Sequence, residues 1–259
     1  MLRLTIVAAL ALALLVSACG GEDDDVADDG PRFDPARADE LAHAALIGTS
    51  NLPGSGWEIA AEDDFDDDGD DGDEFLQFAE QEESCQHITD LAALGDIMGG
   101  DDDEDLPLGR AKVEFERDAG PMDIPSSVEV EIEIEETVAD IQGGWGIARS
   151  ILGSEDTSEC FRALMGAVLA EESDGLFEVS LESIDPPADP PGDGVALAFR
   201  MEIEISGLAA FEAVMGLYMW PYSNAGIQVM IIGSEEELEP DDFAAILDSV
   251  DSMVRAAGE

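Results

Sequence analysis

Apolar and acidic residues alternate strictly in several stretches of this chain. Val113 and Phe115 alternate with Glu114 and Glu116, and Val128, Val130, Ile132 and Ile134 with Glu129, Glu131, Glu133 and Glu135. Met201, Ile203 and Ile205 alternate in the same way with Glu202 and Glu204 inside a run from Val195 to Ile205. A period of two sends successive side chains to opposite faces, so each stretch predicts a strand that buries one face and wets the other, the habit of antiparallel sheets. Further strands are predicted at Leu176 to Ile184, Val214 to Trp220 and Ile227 to Ile232, the last two separated by PYSNAG as in a hairpin. A short strand holding Trp57 follows the turn NLPGSGWE.

Elsewhere the period is helical. Leu41, Ala44, Ala45 and Ile47 predict an amphipathic helix from Asp34 to Ile47, ended by Gly48, with opening acids suited to the positive end of its dipole. A second helix is predicted from Ser84 to Met98, with Cys85 in its first turn. Thr137 to Glu172 reads as two helical segments, one through Trp145 and Ile151 and one carrying Cys160, Phe161, Leu164 and Val168 behind the capping stretch GSED. Phe243, Ile246, Leu247, Val250 and Val254 predict a closing helix from Pro240 to Ala256.

These elements add up to an α+β domain: a twisted antiparallel sheet of about six or seven strands covered on one face by helices, with the Glu-rich face in water. Residues 34–259 are expected to form one domain without internal repeats, because the closing helix needs the sheet as its floor; a split near the proline-rich DPPADPPGDG is the alternative.

The N-terminus has another character. Arg3 precedes an unbroken apolar run from Leu4 to Val16 and the small residues Ser17 and Ala18, the layout of a secretory signal and shorter than a membrane span of roughly 20 residues. Val16-Ser17-Ala18-Cys19-Gly20 resembles the lipobox of bacterial lipoproteins. The expectation is a cleaved signal over 1–18, a diacylglyceryl Cys19 that anchors the chain on the extracytoplasmic face of the cell membrane, and an acidic flexible tether over 19–33. The alternatives are an uncleaved anchor or an ordinary signal with a chance cysteine.

Charge narrows the partners. The chain carries 63 acids against 10 bases, a net charge of −53, and its single lysine is Lys112. Such a field repels nucleic acid and anionic lipid headgroups and attracts cations, so no nucleic-acid partner is expected. Adaptation to salty surroundings and a specific divalent-ion site are both open readings.

Beyond Cys19, two cysteines remain, Cys85 and Cys160, and in an exported chain a disulfide is the default. Closing a loop of this length stabilises a fold by about 4 kcal/mol in the chain-entropy model. The rival is a thiolate nucleophile at Cys85 beside His87, for which no positioned third group is evident.

Calcium is the one metal the sequence suggests. Asp64, Asp66 and Asp68 with Gly69 reproduce the opening of an EF-hand-like loop, and Asp70, Asp73 and Glu74 extend its acids. The twelfth position is Phe75 and the eighth Asp71, so the pattern is incomplete and a solvated acidic loop is the competing reading. No other cofactor is expected. No catalytic residues are assigned: His43 and His87 read as surface or packing residues, and the serine-hydrolase, zinc-peptidase and nucleotide fingerprints do not occur. Trp57, Trp145, Trp220 and Tyr222 are candidates for a ligand cleft or for core.

An N-terminal helix leads into the turn Leu52, Pro53, Gly54, Trp57; cysteines follow at Cys85 and Cys160, then paired late strands and a closing helix. This order resembles a loose family of actinobacterial-style lipoproteins that includes the extracellular sensor domain of the mycobacterial serine/threonine kinase H. The chain departs from it in having one disulfide where that domain is expected to have two, and no kinase segment. The resemblance implies a cell-surface domain with a ligand-binding cleft between sheet and helices, and no catalytic residues.

Three functions stay open: a non-enzymatic, lipid-anchored extracytoplasmic binding or sensor-like module for a small ligand or a protein; an acidic calcium-binding or structural surface protein; and an unrecognised hydrolase.

Overall fold

The glutamate-punctuated stretches pair with one another. Val113 lies opposite Val130 and Phe115 opposite Val128 in an antiparallel register that runs from Gly109↔Ile134 to Arg117↔Ser126. The computed structural model describes residues 35–62, 85, 107–118, 125–135, 138, 141–142, 145–146, 149, 154, 156–163, 177–205, 210–234 and 236–258. Its elements are α1 (Pro35–Ala45), a single 3-10 turn (Thr49–Asn51), β1 (Trp57–Glu62), β2 (Gly109–Arg117), β3 (Ser126–Ile134), β4 (Phe177–Ile184), β5 (Val195–Ile205), β6 (Ala210–Tyr222), β7 (Ala225–Gly233) and α2 (Pro240–Ala257). Residues 156–163 are also helical.

The seven strands form one sheet in the order β1-β2-β3-β7-β6-β5-β4. Every neighbouring pair is antiparallel, so two meanders, β1 to β3 and β4 to β7, meet at the β3–β7 seam. The fold is therefore the expected α+β architecture, with the Cys85–Cys160 disulfide formed.

One face carries Val113, Phe115, Val128, Val130, Ile132, Ile227, Val229, Ile231, Tyr218 and Trp220, all buried beneath the two helices. α2 meets it with Phe243, Ile246, Leu247, Val250 and Val254, the five residues whose spacing predicted it. α1 meets it with Ala38, Ala42 and Ala45, while Ala44 faces solvent. Its buried stripe is thus turned from the expected one, and the helix ends at Ala45 rather than Ile47. Small side chains let the backbone of α1 lie directly on β2: a Cβ on Gly109 would stand 2.3 Å from the carbonyl carbon of Ala38.

The opposite face differs from the expectation of a wetted surface. Glu129 and Glu131 are buried, and beyond the seam Phe199, Met201, Met215, Leu217, Met230 and Ile232 are buried as well. A second layer lies over this face. Phe161 stacks on Phe199 with ring centroids 5.2 Å apart, its neighbour Cys160 is bonded to Cys85, and Ile141 sits 3.4 Å from the position of a Cβ on Gly226. The unalternating runs Val214 to Trp220 and Ile227 to Ile232 carry the cause: a strand apolar on both sides must be covered on both sides.

The β6–β7 hairpin is tighter than PYSNAG suggested. Tyr222 pairs with Ala225, leaving a two-residue turn at Ser223 and Asn224. Ser223 has φ +56, a left-handed value that such turns usually assign to glycine. Asn224 locks the turn to the end of β3: its Nδ2 donates to the Glu135 carbonyl at 2.7 Å, and the Glu135 N–H donates to the Asn224 carbonyl at 2.9 Å.

Two substitutions test this packing by urea denaturation. Gly109→Ala should lift α1 from β2 and destabilise the fold by about 2 kcal/mol. Ser223→Gly should remove the left-handed strain and stabilise it by about 0.5–1 kcal/mol.

Candidate functional site

The buried glutamates belong to a charge ladder across β2 and β3. Arg110 lies opposite Glu133, Lys112 opposite Glu131 and Glu114 opposite Glu129. Contacts run on the diagonals that a twisted pair allows to long side chains. Lys112 Nζ reaches Glu129 Oε2 at 3.1 Å, and Arg110 Nε donates to Glu131 Oε1 at 2.6 Å while lying 3.2 Å from Glu133 Oε1. The single lysine of a chain with 63 acids is thus committed to one buried carboxylate.

On the other side, β7 sets Met230 opposite Glu129 and Gln228 opposite Glu131, so the ladder borders the apolar half of the face. Glu129 is 2% exposed, and its Oε1 has no hydrogen-bond partner among the described residues. Burial pushes its carboxyl up to about 7 despite Lys112, with Glu131 and Glu114 adding to the rise. Glu133 is likewise raised to about 7, first by burial and then by Glu131, against the pull of Arg110. Two carboxyls poised near neutrality can hold or release protons, or exchange them for a cationic group.

A second feature lies at the far edge of the same face. Residues 156–163 and β4 enclose a trough of about 440 Å³ lined by Ser158, Glu159, Arg162, Leu181, Glu182 and Ser183. The hydroxyls of Ser158 and Ser183 are 2.7 Å apart, and Arg200 reaches Glu182 from β5 at 3.4 Å.

The aromatic residues singled out in the sequence do not all converge. Trp57, Trp220 and Tyr222 pack in or against the helix-side core, whereas half-buried Trp145 is not part of it. Trp57 is clasped: its Nε1 donates to the Pro53 carbonyl at 2.8 Å, and the Arg117 guanidinium lies 4.8 Å above its ring. Arg117 also donates to the Glu237 carbonyl at 2.9 Å, tying the LPGSGW turn to the approach to α2. Tyr222 stacks under Arg255 at 4.6 Å. His43 is exposed on α1, with Nδ1 2.9 Å from the Asp39 carbonyl. Cys19, His87 and the acidic run Asp64, Asp66, Asp68, Asp70, Asp73 and Glu74 lie outside the described residues. Among those described, no group of three or more His, Cys, Asp or Glu side chains could hold a metal ion, and no helix is long and apolar enough to cross a membrane.

Sequence reasoning missed the ladder because alternation alone assigns glutamates to water. A signal was nonetheless present: Arg110 and Lys112, two of only 10 bases, fall on one face of a strand beside the glutamate strand. Compared with protein-family models and with curated proteins, the chain matches none.

The raised carboxyls have a thermodynamic consequence. Between the unfolded value of 4.5 and the folded value of about 7, the unfolded chain gives up protons that the native state keeps. Stability should therefore fall as pH rises through that window and level off above it, by about 3 kcal/mol for Glu129. Melting curves from pH 4 to pH 9 should show this fall, and Glu129→Gln, which cannot lose a proton, should flatten part of it.

Proposed function

We propose that this chain is a non-enzymatic, lipid-anchored binding or sensor-like module, held on the extracytoplasmic face of the cell membrane through a diacylglyceryl Cys19 and the tether over 19–33. The apolar run Leu4 to Val16 and the lipobox-like Val16 to Gly20 support the anchor. The observation that carries the reading is the disulfide-fastened second layer. Cys85 and Cys160 are fully buried and bonded, which suits an oxidising compartment, and the layer they fasten shares its sheet face with the charge ladder.

Burying ion pairs stabilises a fold less than apolar side chains of the same volume would. Carboxyls shifted toward neutrality are what binding sites retain. The working surface in this reading is the charged half of the second face, and its excess of carboxylates over Arg110 and Lys112 suits a ligand with a positively charged group. The resemblance to the sensor domain of the mycobacterial kinase, which places a cleft between sheet and helices, points the same way.

Native mass spectrometry of the membrane-extracted chain tests both halves. The expected spectrum shows a chain beginning at Cys19 with the added mass of its acyl groups, and a bound small molecule that Glu129→Gln loses. A rise in melting temperature with calcium but not with sodium at matched ionic strength, and no retained molecule, would instead favour an acidic calcium-binding surface protein. Turnover of an ester or glycan would overturn the non-enzymatic reading.

A further inference from the structure

Among the described residues the sheet has two edges, β1 and β4, and they are built differently. An open edge presents unpaired N–H and C=O groups as a template for another strand, and proteins usually blunt it with short length, bulges, proline or lysine. β1 is blunted: it has six residues, and its pairing slips between Ile59 and Ala61. β4 is not. It runs for eight residues, FEVSLESI, without proline, glycine or lysine, and pairs with β5 without a slip from Phe177↔Ile205 to Ile184↔Ala198. Alternate residues along such a strand turn their backbone groups outward.

A wall stands beside this edge. The helical residues 156–163 are held against the sheet by two contacts, the Phe161–Phe199 stack and the 2.7 Å contact between Ser158 and Ser183, and are tied through Cys160 to Cys85. Between wall and edge lies the trough of about 440 Å³, with Leu181 as its apolar element and serines leaving space. A regular edge strand flanked by a helix is the arrangement in which extended peptides bind by strand addition, the ladder providing affinity and the side-chain pockets specificity.

We propose that the β4 edge is a docking site for an extended, positively charged segment of a partner protein, which adds to the sheet as a further strand beneath residues 156–163. The occupant is set by charge. Within the trough Glu159 and Glu182 are accompanied by Arg162, so local charges select register, whereas the surrounding chain at −53 draws in a cationic segment. A second copy would bring the same −53 against this edge and is disfavoured on that ground. This surface is distinct from the charge ladder and does not depend on the ligand assigned there.

The test uses the full chain in detergent and labelled octapeptides of alternating valine and lysine, read by fluorescence anisotropy. Two further versions are N-methylated at alternate backbone nitrogens, one in each register, so that charge is unchanged. In strand addition only one set of amides faces β4, so one methylated version should lose roughly tenfold or more in affinity while the other keeps it. Glu182→Lys, at an exposed side chain, should weaken binding by roughly tenfold with an unchanged urea midpoint. Hydrogen exchange should show β4 amides gaining protection with the unmethylated peptide. Equal binding of both methylated versions would mean attraction by charge alone and would overturn the proposal, as would no binding of the valine–lysine peptide up to millimolar concentration. A dimer of the chain that the peptide displaces would also overturn it, assigning the edge to a second copy.

Discussion

Everything else in this fold depends on the seam between β3 and β7. It joins two meanders from distant parts of the chain, running in register from Ser127↔Ile232 to Ile134↔Ala225. That register aligns Val128, Val130 and Ile132 with Ile231, Val229 and Ile227 under the helices, and it sets Glu129 beside Met230 and Glu131 beside Gln228 on the other face. A slip of one residue would carry every glutamate of β3 beneath α2, among the apolar side chains of the core. The side chain of Asn224, bonded to the Glu135 carbonyl, pins the seam at its end.

The seam also explains where the scarce bases go. Once β3 is a central strand in a sheet covered on both faces, its outward glutamates are no longer outward, and burial without a partner would be costly. β2 answers with Arg110 and Lys112 on the same face. Burial, and after it the neighbouring carboxylates that these two bases do not offset, raises Glu129 and Glu133 to about 7, so they carry part of their load as bound protons. Proton sensitivity follows from the count of charges and from the low dielectric around them.

The two edges of the sheet reflect the same economy of covalent and non-covalent restraint. β1 ends the sheet with a slipped, short strand whose Trp57 is clasped by Arg117 and the LPGSGW turn. β4 ends it with a straight strand beside a wall that the disulfide secures. Phe161, next to the bonded Cys160, stacks on Phe199 on the face that also buries Met201 and Met215.

Local sequence was enough for most of the elements. Strict alternation marked β2, β3 and β5, the spacing of Phe243 through Val254 marked α2, and an even pair of cysteines marked the disulfide, because each of these signals depends on neighbours a few residues apart or on simple parity. It could not say which side of a strand would be wet. Glu129 and Glu131 read as solvent-facing because alternation reports periodicity, whereas burial depends on what the chain brings back from elsewhere. Only the tertiary structure decided that β3 would sit at the centre with Glu129 and Glu131 buried, that Ala38 and Ala42 rather than Ala44 would face the core, with the Ala38 backbone against Gly109, and that β4 would be the last described strand at its edge. The pleat is a property of adjacent residues, but the environment of each face is a property of contacts between residues far apart in the chain.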